Sequence, residues 1–169
     1  GSDYDIYRDG LKIYTTIDSR MQLHAETAVT AHMANLQEEF FRQSKDNKNA
    51  PFVNISSVET QRILNQAMKS SNRWAVMKAM DKSEEEIIKS FSEKTKMTVF
   101  SWKGEKDTLM TPLDSIRYYK HFLQSGLMAM EPQTGNVKAW VGGINYKYFQ
   151  YDHVGQGARQ VGSTFKPFV

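Results

Sequence analysis

Apolar residues recur at helical spacing near the start of the chain. Met21, Ala25, Val29, Met33, Leu36 and Phe40 follow at steps of three to five and share one helix face. Ser19-Arg20-Met21-Gln22 fits a capping box, so a helix is predicted from Ser19 to about Gln43. Residues 11–17 before it are β-branched and aromatic and predict a strand. The polar run 44–49 reads as a loop. From 51 to 94 the pattern breaks into short helices. Ser56–Glu59 and Ser83–Glu86 are capping-box candidates, with apolar faces at Ile63, Leu64, Ala67 and Met68 and at Ile87, Ile88 and Phe91.

Residues 97–102 read as a strand, with a turn over 103–106. Thr111-Pro112 predicts an N-cap with proline at the first helical position, opening a helix that carries Ile116, Tyr119 and Leu123 and ends near Gly126. Two short strands, 127–131 and 136–141, flank Pro132-Gln133-Thr134-Gly135, a hairpin signal. An aromatic loop follows, with Tyr146, Tyr148, Phe149 and Tyr151. It reads first as packing beneath a sheet and second as the wall of a groove. The pattern alternates helices with antiparallel strands, an α+β chain.

Composition narrows the function classes. In 169 residues, 22 basic and 19 acidic side chains leave a net charge of +3. That excess is too small and too dispersed to argue for nucleic acid. Cysteine is absent, which removes disulfides and thiol chemistry. No apolar run approaches the ~20 residues of a membrane span. Gly1-Ser2 reads as a scar of tag removal, and the chain as a piece of a longer protein. No histidine pair has metal-binding spacing, so no metal and no cofactor is expected. His24 and His32 are expected to be structural and His121 exposed.

Chemistry concentrates at 159–168. Ser163 and Lys166 stand three apart after Gly162, within a glycine-rich approach (Gly155, Gly157, Gly162). A helix beginning at Ser163 would put the hydroxyl and the amine on one face, a nucleophile with a base in reach. Asp152 and His153 invite a Ser-His-Asp reading. All three would have to converge from one loop, and Lys166 is better placed.

The run Arg159-Gln160-Val161-Gly162-Ser163-Thr164-Phe165-Lys166-Pro167-Phe168 resembles the active-site serine motif of penicillin-binding proteins, specifically the transpeptidase domain of the bifunctional class A enzymes. Residues 127–143, with Glu131-Pro132-Gln133-Thr134-Gly135 at their centre, resemble the hairpin preceding that serine. Tyr14-Thr15-Thr16-Ile17-Asp18 resembles the domain entry. The resemblance implies a partial fold of the serine β-lactamase and penicillin-binding-protein type, antiparallel strands with flanking helices. Its parts would be an entry strand and first helix (1–43), a mainly helical insertion (44–110), and a helix, a hairpin and the start of the active-site helix (111–169).

It also implies a peptidoglycan D,D-transpeptidase that cross-links stem peptides through a serine acyl-enzyme and is acylated by β-lactam antibiotics. Ser163 would be the nucleophile and Lys166 its base. The implied place is the periplasmic or extracytoplasmic face of the cytoplasmic membrane, with the parent anchored by a segment not present here. Residues 44–110 could reach other cell-wall synthesis proteins. The family's Ser-x-Asn and Lys-Thr-Gly motifs do not follow Ser163. At the ordinary lysine pKa of about 10.4, only about one amine in 2500 is neutral at pH 7, and active-site surroundings must change that. The isolated chain is therefore expected to be inactive. Two alternatives stand: a β-lactamase or β-lactam sensor of the same fold, and a non-enzymatic interaction module built on 44–110.

Overall fold

The computed structural model describes residues 5, 7–47 and 49–168, with the backbone alone at 164, 167 and 168. Gly1-Ser2 therefore lies outside the described residues. The chain divides into two compact units, one of 1–31 with 125–169 and one of 32–124. Helix α1, Ser19–Ser44, gives its first half to the former and its second half to the latter.

The unit of 32–124 holds α2 (Ser57–Lys69), α3 (Asn72–Ala79), α4 (Glu84–Ser92), the strands β1 (Thr95–Val99) and β2 (Lys106–Met110), and α5 (Pro112–Lys120). Each helix starts where a side-chain oxygen accepts from a free backbone N–H. Ser56 takes Glu59 N–H, Ser71 takes Trp74 N–H and Thr111 takes Asp114 N–H. Ser83 forms a complete capping box with Glu86. At Ser56 the box is half made, because the Glu59 carboxylate turns to Arg62 instead. Met68, Trp74, Ile87 and Phe91 form the core, with Met77, Leu113 and Ile116 packed against it. Ile88, expected on the same face as Ile87, is exposed. A second apolar cluster joins Phe41, Phe100, Tyr118 and Phe122 edge to face.

Two expectations in this unit change. The strand read at 97–102 runs Thr95–Val99, and its partner β2 begins at the end of the turn read over 103–106 and continues where the pattern marked no element. Lys106 and Asp107 open β2 with charge, which hides the alternation. Helix α5 ends at Lys120, well short of Gly126. There the Gln37 side chain donates to His121 C=O and accepts from Leu123 N–H, turning the chain out of the helix. Gln37 is 1% exposed. His121 is half-buried, its Nδ1 2.9 Å from Arg117 C=O, and not the exposed residue expected.

The unit of 1–31 with 125–169 centres on the antiparallel hairpin β3 (Leu127–Met130) and β4 (Val137–Val141). Gly135, at φ +74, turns between them, and its N–H donates to Glu131 C=O. Residues 11–17 are not a strand. They meet β4 where the Thr16 hydroxyl donates to Val137 C=O, and Asp18 N–H then donates to Lys138 C=O. Asp18, not Ser19, caps α1, accepting from Arg20 and Met21 N–H. Gln22 is thereby free for β4: its amide accepts from Trp140 N–H at 2.8 Å and donates to Trp140 C=O at 3.0 Å. Ala25 and Val29 are the buried residues of this half of α1, while Met21 is exposed. His24 and His32 are exposed, contrary to the structural role expected for them.

Candidate functional site

Ser163 and Lys166 both lie on a 3₁₀ helix, Gly162–Phe168. Three residues make one turn of such a helix, so side chains three apart eclipse one another. The two residues therefore share one face, one turn apart, and both are exposed. The sequence pattern anticipated a helix here, though not its tighter winding. Gly162 opens it at φ +51, a backbone conformation that disfavours side-chain-bearing residues.

The approach to this helix is held by Asp152. Its carboxylate accepts from Val154 N–H at 2.9 Å, Gly155 N–H at 3.1 Å and the Trp140 indole N–H at 3.1 Å. The Gly155 N–H bond, with those of Val154 and Trp140, holds the carboxyl below the usual carboxylate range. Its glycines are required by closeness. A Cβ on Gly142 would stand 2.8 Å from Asp152 Oδ1, and one on Gly157 would stand 2.6 Å from His153 C=O. Asp152 thus organises the loop and does not serve His153, whose ring packs edge-on against Tyr151 at 4.9 Å. That arrangement gives no support to a Ser-His-Asp triad. No group of three or more candidate metal ligands occurs among the described residues.

The same unit contains a cavity of about 520 Å³ between the start of α1 and the 140–152 segment. Trp140, Tyr146, Phe149 and Tyr151 line it, with the carboxylates of Glu26 and Asp152. The aromatic loop is thus a cavity wall more than a packed underside, and Tyr146 is 81% exposed. Neither Ser163 nor Lys166 is among its described lining residues. Periodicity missed Glu26 here because it marks only the apolar face of α1. In the other unit, a second cavity is lined by Lys45, Arg117 and His121. Lys45 follows the last turn of α1 and Arg117 occupies that of α5, where cations complement the helix dipole.

Comparison with known proteins bears on the family of the chain. Residues 47–123 match the family described as the penicillin-binding protein middle domain. The segment expected as an insertion, 44–110, falls largely inside that region, which continues through α5. Over 98% of its length the chain is 25% identical to penicillin-binding protein 1A of Neisseria flavescens, and over 99% it is 27% identical to that of Rickettsia prowazekii. A 47-residue stretch is 45% identical to penicillin-binding protein 1A of Neisseria lactamica, covering 28% of this chain and 6% of that relative. No solved structure matches. The matches bear out the resemblance to class A penicillin-binding proteins. The chain spans 23% of the length of the two full-coverage relatives.

Proposed function

We propose that this chain is part of a serine D,D-transpeptidase of peptidoglycan synthesis. The observation that carries the reading is the exposed Ser163 and Lys166 pair, one turn apart on a single 3₁₀ face. In the proposed reaction Ser163 Oγ attacks the carbonyl carbon of the penultimate D-alanine of a stem peptide, and its proton passes to Lys166 Nζ. The Ser163 backbone N–H supplies half of the oxyanion site. The carbon–nitrogen bond breaks, the leaving D-alanine amine takes the proton, and an acyl ester remains on Ser163. The amine of a neighbouring stem peptide then attacks the ester and restores the hydroxyl. A β-lactam acylates the same oxygen by opening its ring. On this reading the parent works at the outer face of the cytoplasmic membrane, and residues 44–110 offer a surface to other cell-wall synthesis proteins.

The test is labelling by a fluorescent penicillin. A longer protein containing this segment is expected to label at Ser163 and to lose the label in Ser163→Ala. Lys166→Ala is expected to slow labelling by about 10²–10⁴-fold. The 169-residue chain alone is expected to label poorly, because neither Ser-x-Asn nor Lys-Thr-Gly follows Ser163 in it. Equal labelling of the Ser163→Ala variant would remove the reading.

A further inference from the structure

The cavity beside α1 has an unusual balance of charge. Among the described residues its lining contains two carboxylates, Glu26 and Asp152, and no lysine, arginine or histidine, in a chain whose net charge is +3. Four aromatic side chains complete the wall: Trp140, Tyr146, Phe149 and Tyr151. Aromatic faces attract cations through the ring quadrupole, and they exclude anions for the same reason. Carboxylates at the same wall add a second attraction of the same sign. Asp152 is already fixed by three N–H donors, two on Oδ1 and one on Oδ2, so it contributes chiefly through its field. Glu26 is the adaptable partner: it lies exposed on α1, with one oxygen accepting from Gln22. About 520 Å³ is room for a small arm, within the usual range of small-molecule sites.

We infer that this cavity is a binding site for an ammonium group carried on a short alkyl arm, held by Glu26, the field of Asp152 and the faces of Trp140 and Tyr146. The site is distinct in its residues from the Ser163 and Lys166 pair and does not require acylation at Ser163.

Trp140 reports on the site through its indole N–H, while Trp74 and Trp102, both in the 32–124 unit, serve as internal controls. The ¹⁵N-labelled 169-residue chain is titrated with n-butylammonium chloride at constant ionic strength, and in parallel with n-butanol as the neutral analogue. A saturable shift of the Trp140 indole resonance with the cation alone is expected, with Trp74 and Trp102 unmoved. Glu26→Gln and Tyr146→Ala, both at exposed positions, should each weaken binding about two- to fivefold. Their unliganded spectra show whether the fold is kept. The inference is overturned if Trp140 does not respond, if n-butanol shifts it equally, or if either variant binds as the parent chain does.

Discussion

The two units hold their shape by different means. Residues 32–124 rely on redundancy: four helices with side-chain N-caps, a core of Met68, Trp74, Ile87 and Phe91, and a second aromatic cluster. Residues 1–31 with 125–169 concentrate several hydrogen bonds on single polar side chains. One amide, Gln22, satisfies both backbone groups of Trp140, and one carboxylate, Asp152, holds the turn before the serine motif. Redundant packing tolerates the loss of any one polar contact. A loop whose bonds centre on one side chain is more sensitive to such a loss, and here it brings glycines close against Asp152 and the His153 carbonyl. The lesson is that apolar packing and concentrated polar bonding dominate different stretches of this chain.

The comparison yields predictions of decreasing size. Phe91→Ala empties a site 2% exposed and should cost about 3–5 kcal/mol in chemical denaturation followed at Trp74. The Trp140 resonance should keep its folded position at denaturant concentrations where the Trp74 signal is already lost. If both signals are lost together, the distinction between the units fails. Gly157→Ala drives a Cβ against the His153 carbonyl and should cost about 1–3 kcal/mol, this time moving Trp140 and sparing Trp74. Ser83→Ala removes the capping box of α4 and should cost about 1 kcal/mol by thermal or denaturant unfolding.

The smallest effect is on pH. Asp152 is held below its ordinary value, so its folded form binds a proton less readily than its unfolded form. Its contribution is therefore complete above the unfolded pKa, about 3.9, and fades as pH falls through the lower folded value. Expected is a Trp140 indole resonance that stays constant from neutral pH to about pH 4 and shifts below it. Asp152→Asn should abolish that step. A step at or above pH 5 that Asp152→Asn removes would contradict the hydrogen bonds assigned to Asp152.

What the sequence made legible followed from local chemistry. The caps at Ser56, Ser83 and Thr111, the β3–β4 hairpin and the stripes at Leu64 with Met68 and Ile87 with Phe91 are where the patterns put them. Two of the misses share a cause, a distant polar partner. Gln37 is a polar residue inside an apolar stripe, buried because it bonds the backbone 84 and 86 residues away. Gln22 fitted a local cap in sequence but serves Trp140, 118 residues away. Residues 11–17 have strand composition but lack a ladder to join. At the candidate site the helical placement of Ser163 and Lys166 was legible from their spacing. The cavity was not, since Glu26 and Trp140 meet only through the folding of α1 against β4.

The amide of Gln22 has one more effect. By filling the donor and the acceptor of Trp140, it seals the flank of β4 that a neighbouring strand would use. The ribbon is left growable from a single side. A strand added to it would lie along β3, since Gln22, with Thr16 and Asp18, occupies the outer backbone groups of β4.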